Sequence, residues 1–275
     1  MKIWLTGRGG MLGRAFERIF IDRNIDYFAT SSRDLDITDR SACESVGKPF
    51  THLINCAAYT AVDKAEDEKN QAFAVNVRGV QNLQRIASIN QAKLVHFSTD
   101  YVFDGNTALG YNEDDFTFPL SVYGRTKLLG ESLLLSKDPN ALIIRTSWLF
   151  GEGKNFVSTM KSIFKEKEEV KVIDDVRGRP TYARDLANAA LDLLEFKGIY
   201  HFANREEVSW FEFAKEIYPL IKEKRCVNLS PISHKNYFSK AVRPRCSILR
   251  TEKVEKVLSR PIRSWKEALF EYLRE

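Results

Sequence analysis

Short apolar runs rich in β-branched and aromatic residues alternate with stretches whose apolar residues recur every three or four positions. KIWLT (2–6), DYFATS (26–31), HLINCAA (52–58), KLVHFST (93–99) and ALIIRTSWLF (141–150) read as strands. Between them, Leu12, Ala15, Phe16 and Ile19 share one helix face. Phe73, Val77, Val80, Leu83 and Ile86 share another, in a helix expected from Asn70 to Asn90. A further helix is expected around Tyr123–Leu135, and EVKVID (169–174) and GIYHFAN (198–204) read as later strands. Near-continuous apolar strands separated by helices predict a doubly wound α/β fold, a parallel sheet covered on both faces. After about residue 150 the pattern loosens into turn-rich segments, GEGKNF (151–156) and DDVRGRP (174–180), and then a basic stretch, HKNYFSKAVRPRCSILR (234–250). That part is expected to form a smaller, interleaved lobe.

Composition narrows the function classes. The chain has 275 residues, 44% hydrophobic and 29% charged, enough for a large core. Its net charge of +5, from 42 Lys and Arg against 37 Asp and Glu, is too mild to imply nucleic acid and suits anionic ligands. Cys43, Cys56, Cys226 and Cys246 form no C-x-x-C pair, and the four histidines show no metal-ligand spacing. No apolar stretch is long enough for a membrane span, and the N-terminal apolar run is too short for a signal peptide, so a cytoplasmic location is expected.

The segment LTGRGGMLGRAF places Gly7, Gly10 and Gly13 between a strand and a helix. Glycines there permit a tight turn and close backbone approach to a pyrophosphate, and the helix start supplies free N–H groups. Residues 1–150 are therefore read as a dinucleotide-binding domain, its sheet continued by about 169–195. Residues 151–275 are read as mainly a substrate-binding lobe. The second strand runs into Thr30, Ser31, Ser32 and Arg33 rather than an acidic residue. Arg33, with Arg8 of the glycine loop, suits a ribose 2′-phosphate and favours NADPH. NADH is the alternative, with Asp34 or Asp36 on the ribose.

The fourth strand ends in Ser98, Thr99, Asp100 and Tyr101, and the helix after it carries Tyr123 and Lys127 on one face. Thr99 is placed to hydrogen-bond a ligand beyond the strand end. A phenol can protonate a carbonyl oxygen, and a nearby ammonium would draw its pKa down. Y-x-x-x-K alone is common by chance. Its place after the glycine loop and Thr99 gives it meaning.

These segments, with NCAAYTAVDKAE, VHFSTDYVFDG, PLSVYGRTKLLGE, IIRTSWLFG, RPTYARDLA and RPRCSIL, resemble the extended short-chain dehydrogenase/reductases and, more narrowly, the dTDP-4-dehydrorhamnose reductase family. The resemblance implies Tyr123 as general acid, Lys127 as its electrostatic partner and Thr99 on the reacting carbonyl. It implies that Gly7, Gly10, Met11, Leu12 and Gly13 cradle the pyrophosphate. Asp36 and Ile37 would lie near the adenine, and Ala57, Ala58 and Tyr59 along the ribose and nicotinamide path. Asp100, Tyr101 and Trp148 would face a nucleotide sugar, and Arg243 or Arg245 would bind its diphosphate. Asn76 resembles the superfamily's helix asparagine. No metal is carried over, and a homodimer is admitted but not required. The implied reaction is NADPH-dependent reduction of dTDP-4-dehydro-L-rhamnose to dTDP-L-rhamnose. The competing readings are a reductase or epimerase of another nucleotide sugar, and a non-catalytic NADP-binding regulatory subunit.

Overall fold

The apolar runs pair side by side. β1 (Ile3–Thr6), β2 (Tyr27–Thr30), β3 (His52–Asn55), β4 (Lys93–Thr99), β5 (Leu142–Thr146) and β6 (Gly198–His201) form a six-stranded sheet in the order β6-β5-β4-β3-β1-β2. Every pairing in it is parallel. This computed structural model describes residues 1–222 and 225–274. The strand order reverses at β1, which has β2 on one side and β3 on the other. A parallel sheet binds its ligands at the carboxyl strand ends beside such a switch point.

Alternation along each strand divides the core in two. Ile3, Leu5, Ile54, Val95, Leu142 and Ile144 pack under α1 (Met11–Asp22) and the helix Ala183–Asp192. Trp4, Leu53, Leu94 and Ile143 pack under α2 (Val80–Ile89) and α3 (Val122–Lys137). The chain is thus a doubly wound α/β fold. A separate apolar cluster gathers Phe150, Val157, Phe164, Val172, Phe213 and Trp265. Among the described residues no helix is long and apolar enough to cross a membrane.

Two expectations change. Glu169–Ile173 does not extend the main sheet; it pairs with Asn228–Ile232 in a two-stranded sheet of its own. Its inward residues Val170 and Val172 join the separate cluster, and β6 takes the sheet's edge. The expected Asn70–Asn90 helix contains a π-helical turn, Ala74–Gly79, between Lys69–Phe73 and α2. The wider turn shifts the register, so Phe73 leaves the apolar face and is 38% exposed.

At the carboxyl ends of β5 and β6, Arg145 and Glu131 form a buried ion pair at 2.7 Å. Arg145 also donates to the Glu113 carbonyl, and Glu113 accepts the His201 backbone N–H at 2.9 Å. The His201 ring donates from Nδ1 to the Tyr111 carbonyl at 3.1 Å. Burial, reinforced by Arg145, pushes the His201 pKa from 6.5 down to about 3. The unfolded chain therefore takes up this proton first. The stabilising contribution is complete above pH 6.5 and is lost as pH falls from 6.5 toward 3. Buried His96 acts with the same sign. Asp100, pushed up to about 6 by burial, has the opposite sign between 3.8 and 6, so variants must be compared. Thermal midpoints of His201→Gln across this range should depend less steeply on pH than those of the parent. An equal slope would contradict the assignment.

Candidate active site

The glycine turn fixes one wall of a cleft of about 690 Å³ at the switch point. Gly7 has φ +73°, and a Cβ there would lie 2.6 Å from the Ala57 nitrogen. A Cβ on Gly13 would lie 2.3 Å from the Gly7 carbonyl oxygen, so this glycine lets α1 close on the turn. Around Gly9, by contrast, a Cβ would meet nothing within 4 Å. Gly9 and Gly10 line the cleft at the start of α1, where the helix dipole favours an anion. The cleft continues past Thr30, Ser31, Ser32, Arg33, Asp36 and Ile37, and its other wall holds Cys56, Ala57, Ala58 and Tyr59. Asp34 accepts from the Ser31 backbone N–H and hydroxyl at 2.8 and 2.7 Å through one carboxylate oxygen, and Asp36 rather than Asp34 lines the cleft. This open, glycine-floored cradle fits a dinucleotide.

Tyr123 stands on α3, which is capped by Ser121 and by the Glu66 carboxylate accepting the Val122 N–H at 2.9 Å. Gly124 lets the helix start close against the Tyr101 carbonyl, which an added Cβ would approach to 2.2 Å. The rings of Tyr101 and Tyr123 meet edge to face at 5.6 Å. Thr99 ends β4, and its hydroxyl lies close enough to the Tyr123 phenol to lower its pKa. Burial pushes this phenol up to about 12, Thr99 pulls it back and Asp100 pushes it up again. Asp100 itself is buried, accepting from the Thr99 hydroxyl at 3.0 Å and from Ser247.

Lys127 reaches from α3 to β4, where Nζ donates to the Phe97 carbonyl at 2.6 Å and lies 3.3 Å from His96 Nε2. Burial pushes Lys127 down to about 8. Asn76, in the π turn, accepts the Tyr59 N–H at 2.9 Å and donates to the Tyr59 carbonyl and to Thr126. It thereby ties the cleft wall to the helix of Tyr123.

A family model described as the RmlD substrate binding domain matches residues 1–275. The chain is 38% identical to a dTDP-4-dehydrorhamnose reductase of Aggregatibacter actinomycetemcomitans, over 98% of this chain and 97% of that one. The chain belongs to the dTDP-4-dehydrorhamnose reductase family. Its fold matches a crystal structure of such a reductase from Clostridium acetobutylicum with a TM-score of 0.95 at 38% identity, covering 100% of this chain and 99% of the other. It also matches the Bacillus anthracis dTDP-4-dehydrorhamnose reductase, solved in complex with NADP, with a TM-score of 0.94 at 35% identity, covering 99% and 98%.

Within this reductase-family fold, several residues expected at the site stand elsewhere. Leu12 is buried in the core under α1, so only its backbone is available to a phosphate. Met11 packs against Gly151 outside the cleft. Arg8 is paired with Glu17 at 3.0 Å, at the rim near Asp34, which leaves Arg33 as the arginine lining the cleft beside the β2 end. Trp148 has one ring face taken by Trp210, stacked at 3.5 Å, and rests on Gly178. Its φ of +44° is strained for a tryptophan. Arg243 commits its fork to Asp63 at 2.6 and 3.1 Å, so it straps residues 239–243 to the segment after β3, and its charge pulls the Tyr101 phenol pKa back down. Arg245 is exposed. Gly9, Arg14, Gln71 and Val75 line the cleft unforeseen. Gly9 was within reach of the motif, whereas Gln71 and Val75 arrive through the helix that carries the π turn.

Proposed function

We propose that this chain reduces the C4 ketone of dTDP-4-dehydro-L-rhamnose with NADPH, giving dTDP-L-rhamnose. The observation that carries the reading is the Tyr123 ring packed on Tyr101 at the carboxyl end of β4, beside a dinucleotide-shaped cleft in a chain of this family. Gly7, Gly9 and Gly10 with the start of α1 would hold the pyrophosphate, and Arg33 the 2′-phosphate. When bound, NADPH supplies the hydride. Thr99 and Tyr123 converge on one carbonyl oxygen. A phenol raised to about 12 keeps its proton at neutral pH, as an acid must until negative charge develops on that oxygen. Tyr123, assisted by the charge of Lys127, then gives its proton from Oη to the nascent alkoxide, while the Thr99 hydroxyl turns from Asp100 to donate the second hydrogen bond. Asp100 and Tyr101 would face the sugar, with Trp148 at the rim. We also propose the division into a cofactor domain, residues 1–150 completed by the helix Ala183–Asp192 and β6, and a mainly substrate-binding lobe in the interleaved remainder.

The test is NADPH oxidation with dTDP-4-dehydro-L-rhamnose against other nucleotide 4-keto sugars. Oxidation that requires this sugar and yields dTDP-L-rhamnose supports the reading. Oxidation only with another sugar overturns the substrate, and none at all overturns the reductase. For cofactor choice, Arg33→Ala should raise KM for NADPH about tenfold, the worth of one charge-assisted hydrogen bond, and leave NADH unchanged. Equal effects on both would assign the ribose end to Asp36.

A further inference from the structure

A row of buried polar side chains crosses the sheet beneath α3. Parallel pairing sets Thr6 opposite Asn55 and Asn55 opposite His96, so all three project from one face. Lys127 of α3 meets the row at His96. Thr6, Asn55, His96 and Lys127 are each at most 2% exposed.

The hydrogen bonds fix the direction of the row. Thr6 donates to Asn55 Oδ1 at 2.8 Å, and the Ala57 backbone N–H donates to the same oxygen at 3.0 Å. A backbone N–H can only donate, so that atom of Asn55 is the oxygen and its NH2 faces His96 Nδ1 at 3.0 Å. An amide NH2 can only donate as well, so Nδ1 carries a lone pair. The proton of the neutral ring then sits on Nε2, 3.3 Å from Lys127 Nζ. An imidazolium does not fit, because its Nδ1–H would face the Asn55 NH2. An amine at Lys127 can accept the Nε2–H, whereas an ammonium offers only donors and keeps the Phe97 carbonyl alone.

We propose that His96 is a positioning residue for Lys127, locked by Asn55 in its Nε2–H tautomer so that it holds the amine and disfavours the buried ammonium. The other groups facing Lys127 work against this. Glu131, one turn along α3, favours the ammonium but is itself committed to Arg145, and Cys56 beyond β3 is a thiol kept protonated by burial. Burial lowers the Lys127 pKa in its own right, and the contact with His96 acts in the same direction. The consequence for turnover rests on the reductase reading: the basic limb of the rate profile follows Lys127, and His96 sets where it falls.

The experiment uses the full chain without cofactor, labelled with ¹⁵N-histidine and ¹³Cε-lysine. His96 should show the Nε2–H tautomer. The Lys127 signal, identified by its loss in Lys127→Arg, should titrate about one unit or more higher in His96→Gln, whose amide oxygen can turn to the ammonium. With NADPH and the 4-keto sugar, the basic limb should move upward in step. An Nδ1–H tautomer, or a Lys127 titration unmoved in folded His96→Gln, overturns the proposal. If that variant does not fold, the tautomer of the parent chain decides. Absent NADPH turnover counts against the reductase reading alone, because tautomer and titration are read without cofactor.

Discussion

Tyr123→Phe is expected to lower kcat by roughly 10²–10⁴-fold, the usual contribution of a positioned general acid, with NADPH affinity little changed. The substitution keeps the ring and its edge-to-face contact with Tyr101 at 5.6 Å, so the fold should not notice it. What disappears is the one proton whose pKa burial holds near 12 beside Thr99. The check is kcat from NADPH absorbance alongside Kd from NADPH fluorescence. Loss of affinity in proportion to rate would make Tyr123 a cofactor contact rather than the acid. Unchanged turnover would mean that another group is the acid.

Gly124→Ala should be nearly as damaging, though no atom of Gly124 reacts. Its Cβ would stand 2.2 Å from the Tyr101 carbonyl oxygen and 3.1 Å from Pro119 Cβ, contacts that only a shift of α3 can relieve. Such a shift carries Tyr123 away from Thr99, and misplacing a reacting group by about 1 Å costs on the order of 10²-fold in rate. Overpacking adds roughly 1–3 kcal/mol of destabilisation. Thermal midpoint and kcat are the measurements, and Gly9→Ala, whose Cβ meets open space, is the control for the thermal midpoint alone. An active, stable Gly124→Ala would mean that α3 is not held against Tyr101.

The central sheet was legible because β1, β3, β4 and β5 are buried on both faces and so read as unbroken apolar runs. The glycine turn was legible because strand, turn and helix are contiguous. Residues that act across long chain separations were not. Nothing local shows that Arg243 is bound by Asp63, 180 positions earlier, or that Ser247 reaches Asp100. The π turn at Ala74–Gly79 breaks the periodicity on which the position of Phe73 was judged. Leu12 turns its side chain into the core, as its apolar spacing with Phe16 and Ile19 indicated, and leaves its backbone at the start of α1. Lys127 shares a helix face with Tyr123, but its environment comes from β4, where His96 and the Phe97 carbonyl were read only as parts of an apolar strand.

The most direct test of the account follows a label. The chain is given NADPH deuterated at the nicotinamide C4, in each stereochemical form, together with dTDP-4-dehydro-L-rhamnose, and the sugar product is examined by mass spectrometry and NMR. The account predicts dTDP-L-rhamnose carrying deuterium at its own C4 from one of the two forms, and no labelled product with Tyr123→Phe under the same conditions. NADPH consumed without deuterium in the sugar, or labelled product formed as fast by Tyr123→Phe, would contradict it.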